Sequence, residues 1–311
     1  MWIAFVIIAL LMLLMFFAML FIYKKAFYSP HKNQNNVYNL PKTKQYIEYK
    51  QKMLDLINLL VDVEYEPVEI TSFDGLKLYG RYYHFCDGAP VALQMHGYRG
   101  TAVRDMCGGF QSSKKMGQNV LLIDERATGK SEGHSITFGI KERYDCVSWI
   151  EYIKKRFGEE IPILLYGVSM GATTVLMASE LGIDKNVKGI IADSPYSSPY
   201  DIIKKVCAED LGYPSKIAMP FVKMTAKLFC GFDICAKTAA EAVKNSKIPT
   251  LIIHGGGDFF VPPTMSREIV DANPNLEYVV FPEAEHGISA IIHTEEYNRL
   301  VLSFIEKCFK K

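Results

Sequence analysis

Two serines in this 311-residue chain sit in the pattern G-x-S-x-G. One is Ser131, in Gly129-Lys130-Ser131-Glu132-Gly133; the other is Ser169, in Gly167-Val168-Ser169-Met170-Gly171. That spacing suits a nucleophile held on a sharp turn between a strand and a helix, where glycines two positions away let the two elements approach without a Cβ clash. Gly129-Lys130-Ser131 also has the form of a phosphate-loop tail. Such a loop needs a glycine where this chain has Asp124, so that reading fails. Context separates the serines. The apolar run IPILLYG leads directly into Ser169, and MGATTVLMASEL leaves it as a helix of good formers. The strand before Ser131 ends well upstream, and HSITFG after it has no helical period. Ser169 is therefore the expected nucleophile, and Ser131 a loop residue.

A serine hydroxyl needs a base, and the base needs an orienting acid. Seven histidines are available, at positions 31, 84, 96, 134, 254, 286 and 293. His286 follows the last apolar strand, in PEAEHG, on the loop where a base would sit; His293, at the start of the final helix, is its rival. His96 and His254 each precede a glycine at a strand end and are expected to shape those turns. Two acids compete: Asp258, in the loop HGGGDFFVP, and Asp193, at the end of VKGIIAD. Either strand end reaches the same imidazole, so both stay open. Asp124 also ends a strand and reads as structural. Two backbone N–H groups are then needed for the developing oxyanion. Met170 supplies one as the residue after the nucleophile. Tyr98, in the loop HGYRGT, is the candidate for the other, while Arg99 beside it reads as a solvated loop residue.

Alternating elements must position these groups. VEITSF and LKLYGRYYHF read as a hairpin through Asp74-Gly75. VALQMHG, NVLLIDE, IPILLYG, VKGIIAD, IPTLIIHG and LEYVVFP then read as strands, with helices near 102–116, 139–157, 170–181, 264–272 and 293–309. The later strands are near-continuous apolar runs, as in a parallel sheet covered on both faces. The rhythm breaks between Asp193 and Pro249, where proline-interrupted helical patterns predict a helical lid over about 195–247. Tyr196, Tyr200, Met219, Phe221, Met224, Phe229 and Phe232 lie in it. They suit either an apolar acyl pocket or packing of the lid on the domain.

Residues 1–23 contain no charged side chain. As a helix they rise ~35 Å, enough to cross a ~30 Å hydrocarbon core. No basic segment precedes the apolar run and no A-x-A-like site follows it, so a retained transmembrane anchor is expected rather than a cleaved signal. Residues 24–62 read as a polar juxtamembrane linker followed by one amphipathic helix over Lys44–Leu60 that packs on the domain or on the membrane. Lys24, Lys25, Lys32, Lys42 and Lys44 follow the span with no acid before Glu48, which predicts a single-pass protein of the cell membrane with its domain in the cytoplasm and Met1 outside. The net charge of +1 implies no basic face for nucleic acid. Seven scattered cysteines without a C-x-x-C give no disulfide framework or zinc site, and their odd count fits a reducing compartment.

HGYRG, DERATGKSEG, GVSMG, GGGDFFVP and EHG occur in that order. Together they resemble the α/β-hydrolase superfamily, and most of all bacterial serine hydrolases that share features with monoacylglycerol lipases and serine aminopeptidases. The resemblance covers residues 65–310. It implies an α/β-hydrolase fold, a mostly parallel doubly wound sheet over residues 63–311. It also implies a triad of Ser169, Asp258 and His286 and an oxyanion hole at Tyr98 and Met170, and says little of the substrate. A small acyl substrate is expected, with no cofactor or metal. DERATG departs from the pattern, since many members carry Arg-Gly there. The activity expected is ester cleavage through an acyl-enzyme; the rivals are an aminopeptidase with the same triad and a non-catalytic membrane scaffold.

Overall fold

The computed structural model describes residues 1–30, 36–183 and 185–310; His31 and Lys32 lie outside them. Eight strands form one sheet: β1 Glu66–Thr71, β2 Lys77–Tyr83, β3 Val91–Met95, β4 Asn119–Ile123, β5 Ile163–Val168, β6 Val187–Asp193, β7 Thr250–Gly255 and β8 Glu277–Phe281. Their order is β1-β2-β4-β3-β5-β6-β7-β8. The β1–β2 hairpin and the β2–β4 pair are antiparallel, and every other pair is parallel. The residues of β3, β4 and β7 are buried throughout, as are all but Val168 of β5. This accounts for their unbroken apolar runs: a strand covered on both faces has no polar side to alternate with.

Among the described residues twelve α-helices accompany the sheet: α1 Trp2–Ile22, α2 Lys44–Glu48, α3 Lys50–Val61, α4 Ala102–Lys115, α5 Glu142–Phe157, α6 Met170–Ala178, α7 Pro199–Lys205, α8 Ser215–Phe229, α9 Ala239–Val243, α10 Pro263–Ala272, α11 Ser289–Ile292 and α12 Thr294–Phe309. Residues of α5, α6 and α9 fill the core on one face of the sheet, around Trp149 and Val175. Those of α3, α4 and α12 fill it on the other, around Phe110 and Phe304. The chain runs from β3 to β4 toward one edge, and later places β5 on the other side of β3. At such a switch point the loops diverge and leave a crevice at the strands' C-terminal ends. Register aligns those ends: Met95 pairs with Gly167, Val168 with Asp193 and Gly255 with Phe281.

The N-terminal region departs most from expectation. The apolar helix continues through a π-helical turn, Tyr23–Phe27, so that Trp2–Phe27 is one rod with a mean hydropathy of 3.2 over its most apolar stretch. Of α1 itself only Met19 is buried. The start of the linker is not free. Phe27 is fully buried between Phe138 and Phe232, and the Ile136 amide donates to its carbonyl. Arg99, expected to be solvated, instead donates to the carbonyls of Lys25 and Tyr28 at 3.0 and 2.8 Å, holding the end of the rod. The single helix expected over Lys44–Leu60 is broken at Tyr49 into α2 and α3. It packs on the domain, where Met53, Ile57 and Leu60 are buried against α4. Each such side chain contributes about 1.5–3 kcal/mol as an upper estimate.

Residues 195–247 contain α7, α8 and α9. Tyr196, Met219 and Phe232 join the domain's own core, and Phe229 of α8 packs on Phe16 and Tyr23 of the N-terminal rod. Of the two roles their composition allowed, these aromatics take the packing one.

Candidate active site

β5 ends at Val168, and the next residue turns the chain sharply. Ser169 has φ 55° and ψ −114°, a strained conformation for a residue with a Cβ. Its amide donates to the Asp193 carbonyl at 2.8 Å, which ties the turn to β6. The flanking glycines are required by close approach. A Cβ on Gly167 would lie 2.3 Å from the Gly171 backbone, and one on Gly171 would lie 2.2 Å from the Met95 carbonyl oxygen. Helix α6 starts immediately afterwards at Met170.

His286 lies on the loop after β8. Its Nε2 is 2.9 Å from Ser169 Oγ, and its Nδ1 is 2.6 Å from Asp258 Oδ2. With Asp258 ionised, Nδ1–H donates to the carboxylate and leaves Nε2 to accept from the serine hydroxyl. The Asp258 side chain is fully enclosed. Its Oδ1 accepts from the amides of Phe260 and Val261 at 3.0 and 2.7 Å. Burial would raise this carboxyl, but His286 and His254 on its other oxygen outweigh that and hold it down at about 2.

The rival residues go elsewhere. The Asp193 carboxylate accepts from Tyr297 Oη at 2.8 Å and Ser194 Oγ at 2.9 Å, and burial pushes its pKa up despite those bonds. His293 stacks on Phe281, with ring centroids 5.2 Å apart. His254 Nε2–H donates to the Val261 carbonyl at 2.8 Å and its Nδ1 lies 2.6 Å from Ser266 Oγ, bracing the Asp258 loop. His96 is buried: its Nε2 accepts from the Glu125 amide, so Nδ1–H faces the Gly97 carbonyl, and burial lowers its pKa. Ser131 is also buried. Its Oγ accepts from the Tyr79 amide at 2.8 Å and donates to the Asp124 carbonyl at 2.5 Å, stitching its loop to β2 and β4. Asp124 accepts from Arg81 and from the Lys130 amide.

The loop after β3 runs beside the serine, since a Cβ on Gly97 would sit 3.4 Å from Ser169 Cβ. It is held by Asp105, which accepts from the Gly97 amide at 3.0 Å, and by a turn bond from the Gly100 amide to the Gly97 carbonyl. Tyr98 belongs to this turn, and its side chain points away to donate to the Ala26 carbonyl at 2.9 Å. Beside Ser169 and His286 lies a cavity of about 330 Å³. Phe260, edge-on to His286, is one wall; Thr43, Tyr46 and Met53, from the segment before β1, form another. All of its lining residues come from outside 195–247. The sequence carried no signal that Thr43 and Tyr46 reach the site, because their partners on the His286 loop are more than two hundred positions away.

Such a line of groups can activate a hydroxyl at neutral pH. Because Asp258 is held at about 2, it stays ionised across the working range. Protonation of this carboxylate is therefore expected to add nothing to the acid limb of kcat/KM above about pH 4. A limb steeper than one per pH unit there would mean that the carboxylate titrates. A depressed carboxylate stabilises the fold above the ordinary carboxylate range, and that stability is lost only as pH falls toward about 2.

Comparison with known proteins agrees with this architecture. An esterase from Pyrococcus furiosus has a similar structure, with a TM-score of 0.67 and 25% identity over 91% of this chain and 98% of the esterase. The uncharacterized protein YfhR of Escherichia coli K12 is 25% identical over 77% of this chain and 80% of its own length. YqkD of Bacillus subtilis, also uncharacterized, is 23% identical over 61% of this chain, and the match spans 63% of YqkD. The prolyl oligopeptidase family matches residues 111–311, from the end of α4 to the C-terminus. With its eight-stranded sheet and the G-x-S-x-G turn at the switch point, the chain is an α/β-hydrolase and belongs to the prolyl oligopeptidase family.

Proposed function

We propose that this protein is a membrane-anchored serine hydrolase that cleaves a carboxylic ester through Ser169, His286 and Asp258. The carrying observation is the hydrogen-bonded line from Asp258 Oδ2 through His286 to Ser169 Oγ, at 2.6 and 2.9 Å, ending on a strained turn. His286 takes the hydroxyl proton as Ser169 attacks the ester carbonyl. The amides of Tyr98 and Met170 hold the tetrahedral oxyanion. His286 then protonates the leaving alcohol, and a water activated by the same imidazole releases the acid from the acyl-enzyme. The Pyrococcus furiosus likeness supports an ester as substrate. The family's name favours a second reading, in which the same groups cleave a peptide bond. Labelling of the full chain with a fluorophosphonate, with the adduct mapped to Ser169, tests the shared chemistry. Turnover of acyl esters against aminoacyl amides separates the two bonds.

The anchor reading rests on Trp2–Phe27, long enough at about 39 Å to cross a ~30 Å core. Losing the helix before Tyr23 would also strip Phe16 and Met19 from the domain. Lys24 and Lys25 lie in the last turn of this rod and Lys42 and Lys44 follow it; Lys32 lies outside the described residues. Helix α8, packed on the rod, adds exposed Lys216, Lys223 and Lys227 and has no acidic residue. This bias supports a domain on the cytoplasmic side, where an anionic leaflet attracts each lysine by ~1 kcal/mol. Protease added to intact cells is expected to spare the domain and to degrade it after lysis. Its removal from unlysed cells would reverse the orientation.

A further inference from the structure

The loop that carries His286 is gripped by a segment that lies outside the match to the family. Thr43 Oγ1 donates to Glu285 Oε2 at 2.5 Å. Gln45 makes two bonds: its Nε2 donates to the Glu283 carbonyl at 2.5 Å, and its Oε1 accepts from the Glu285 amide at 2.8 Å. Tyr46 Oη donates to the His286 carbonyl at 3.1 Å. Burial, with Asp105 nearby, pushes the Tyr46 phenol well above its ordinary range, so it remains a donor. Three near-consecutive side chains of the juxtamembrane segment thus hold residues 283–286.

The same segment walls the cavity. Met53 of α3 faces Gly108 and Gly109 of α4, Tyr166 of β5 and Ile291 of α11 around a mostly apolar slot that leads to Ser169. Glycine inside a helix costs ~1 kcal/mol relative to alanine, and α4 has two in succession. Gly109 has a packing reason, because its Cβ would lie 2.5 Å from the Tyr166 ring. Gly108 is less crowded: its Cβ would lie 3.3 Å from Ala290 Cβ, a tight contact that a small shift of α11 relieves, at the α4–α11 gap beside the slot. At about 330 Å³ the slot is near the lower end of small-molecule pockets.

We infer that the juxtamembrane strap, residues 41–53, completes this active site: it walls a slot that takes the short apolar acyl group of an ester, and Tyr46 positions the His286 loop. The inference rests on the serine hydrolase reading above. It makes the linker a part of the enzyme as well as a tether, and sets acyl preference by Met53 and Gly108 rather than by residues 195–247.

The test uses the full chain in detergent, p-nitrophenyl acetate and hexanoate, and a fluorophosphonate. Met53→Trp should lower the hexanoate-to-acetate ratio of kcat/KM at least tenfold. Gly108→Ala, which favours the helix, should lower it severalfold. Tyr46→Phe keeps the wall and removes only the bond to the His286 carbonyl. It should leave the ratio unchanged and lower kcat about tenfold with KM within twofold, as expected when a base is displaced but binding is not. An unchanged ratio in both slot variants, with labelling intact, would overturn the slot; if Met53→Trp does not fold, Gly108→Ala decides alone. Wild-type kcat in Tyr46→Phe would overturn the positioning role. A wild type that labels but turns over no ester also sinks the inference. A wild type that does not label refutes the hydrolase reading instead.

Discussion

Ser169→Ala should lower kcat/KM for an activated ester by about four to six orders of magnitude and abolish fluorophosphonate labelling, with little change in Tm. In the proposed mechanism the hydroxyl forms the covalent intermediate, so its loss leaves only the oxyanion hole and binding. Stability should barely move, because alanine and serine suffer the same strain at φ 55°. Ser131→Ala should show the opposite signature. That hydroxyl is buried between the Tyr79 amide and the Asp124 carbonyl, so its removal leaves two backbone groups without partners. The cost is about 1–3 kcal/mol for each group left unsatisfied, and Tm should drop by several degrees while most activity survives. An inactive but folded Ser131→Ala beside a Ser169→Ala that still labels would refute the assignment of the nucleophile.

Asp258→Asn should cost about 10³–10⁴ in kcat, and Asp193→Asn less than about tenfold. An amide at position 258 can donate to the imidazole, which turns the tautomer around and takes the acceptor nitrogen away from Ser169. Its charge is also lost beside the imidazolium that forms during the reaction. The Asp193 carboxylate has other partners in Tyr297 and Ser194, and burial already raises its pKa, so an amide there changes packing and one donor arrangement rather than the base. Steady-state kinetics on the two purified variants give the order directly. If Asp193→Asn is the more damaged enzyme, the orienting acid belongs to β6.

What could be read from the chain was what is local. The turn at Ser169 was legible because its cause is contiguous: a buried strand, two glycines at fixed offsets and a helix of good formers lie within a few residues. The alternation of strands and helices was legible for the same reason, since burial on both faces leaves an unbroken apolar run. The apolar rod needed only its composition. The choice between Asp258 and Asp193 was not legible. Asp193 ends β6 and Asp258 lies just past the end of neighbouring β7; the loop after β8 brings His286 to Asp258, and Tyr297 of α12 occupies Asp193. Nor was the place of residues 24–53. Phe27 is buried through Phe138 and Phe232, Arg99 caps a helix from a distant loop, and Tyr46 reaches the His286 carbonyl across 240 positions. Contacts of this kind impose no period on either partner, so Tyr46 looks like one more apolar position of an amphipathic helix. Only when the sheet brings the loops after β5, β7 and β8 to one edge does that helix meet His286, and the linker becomes a wall of the cavity.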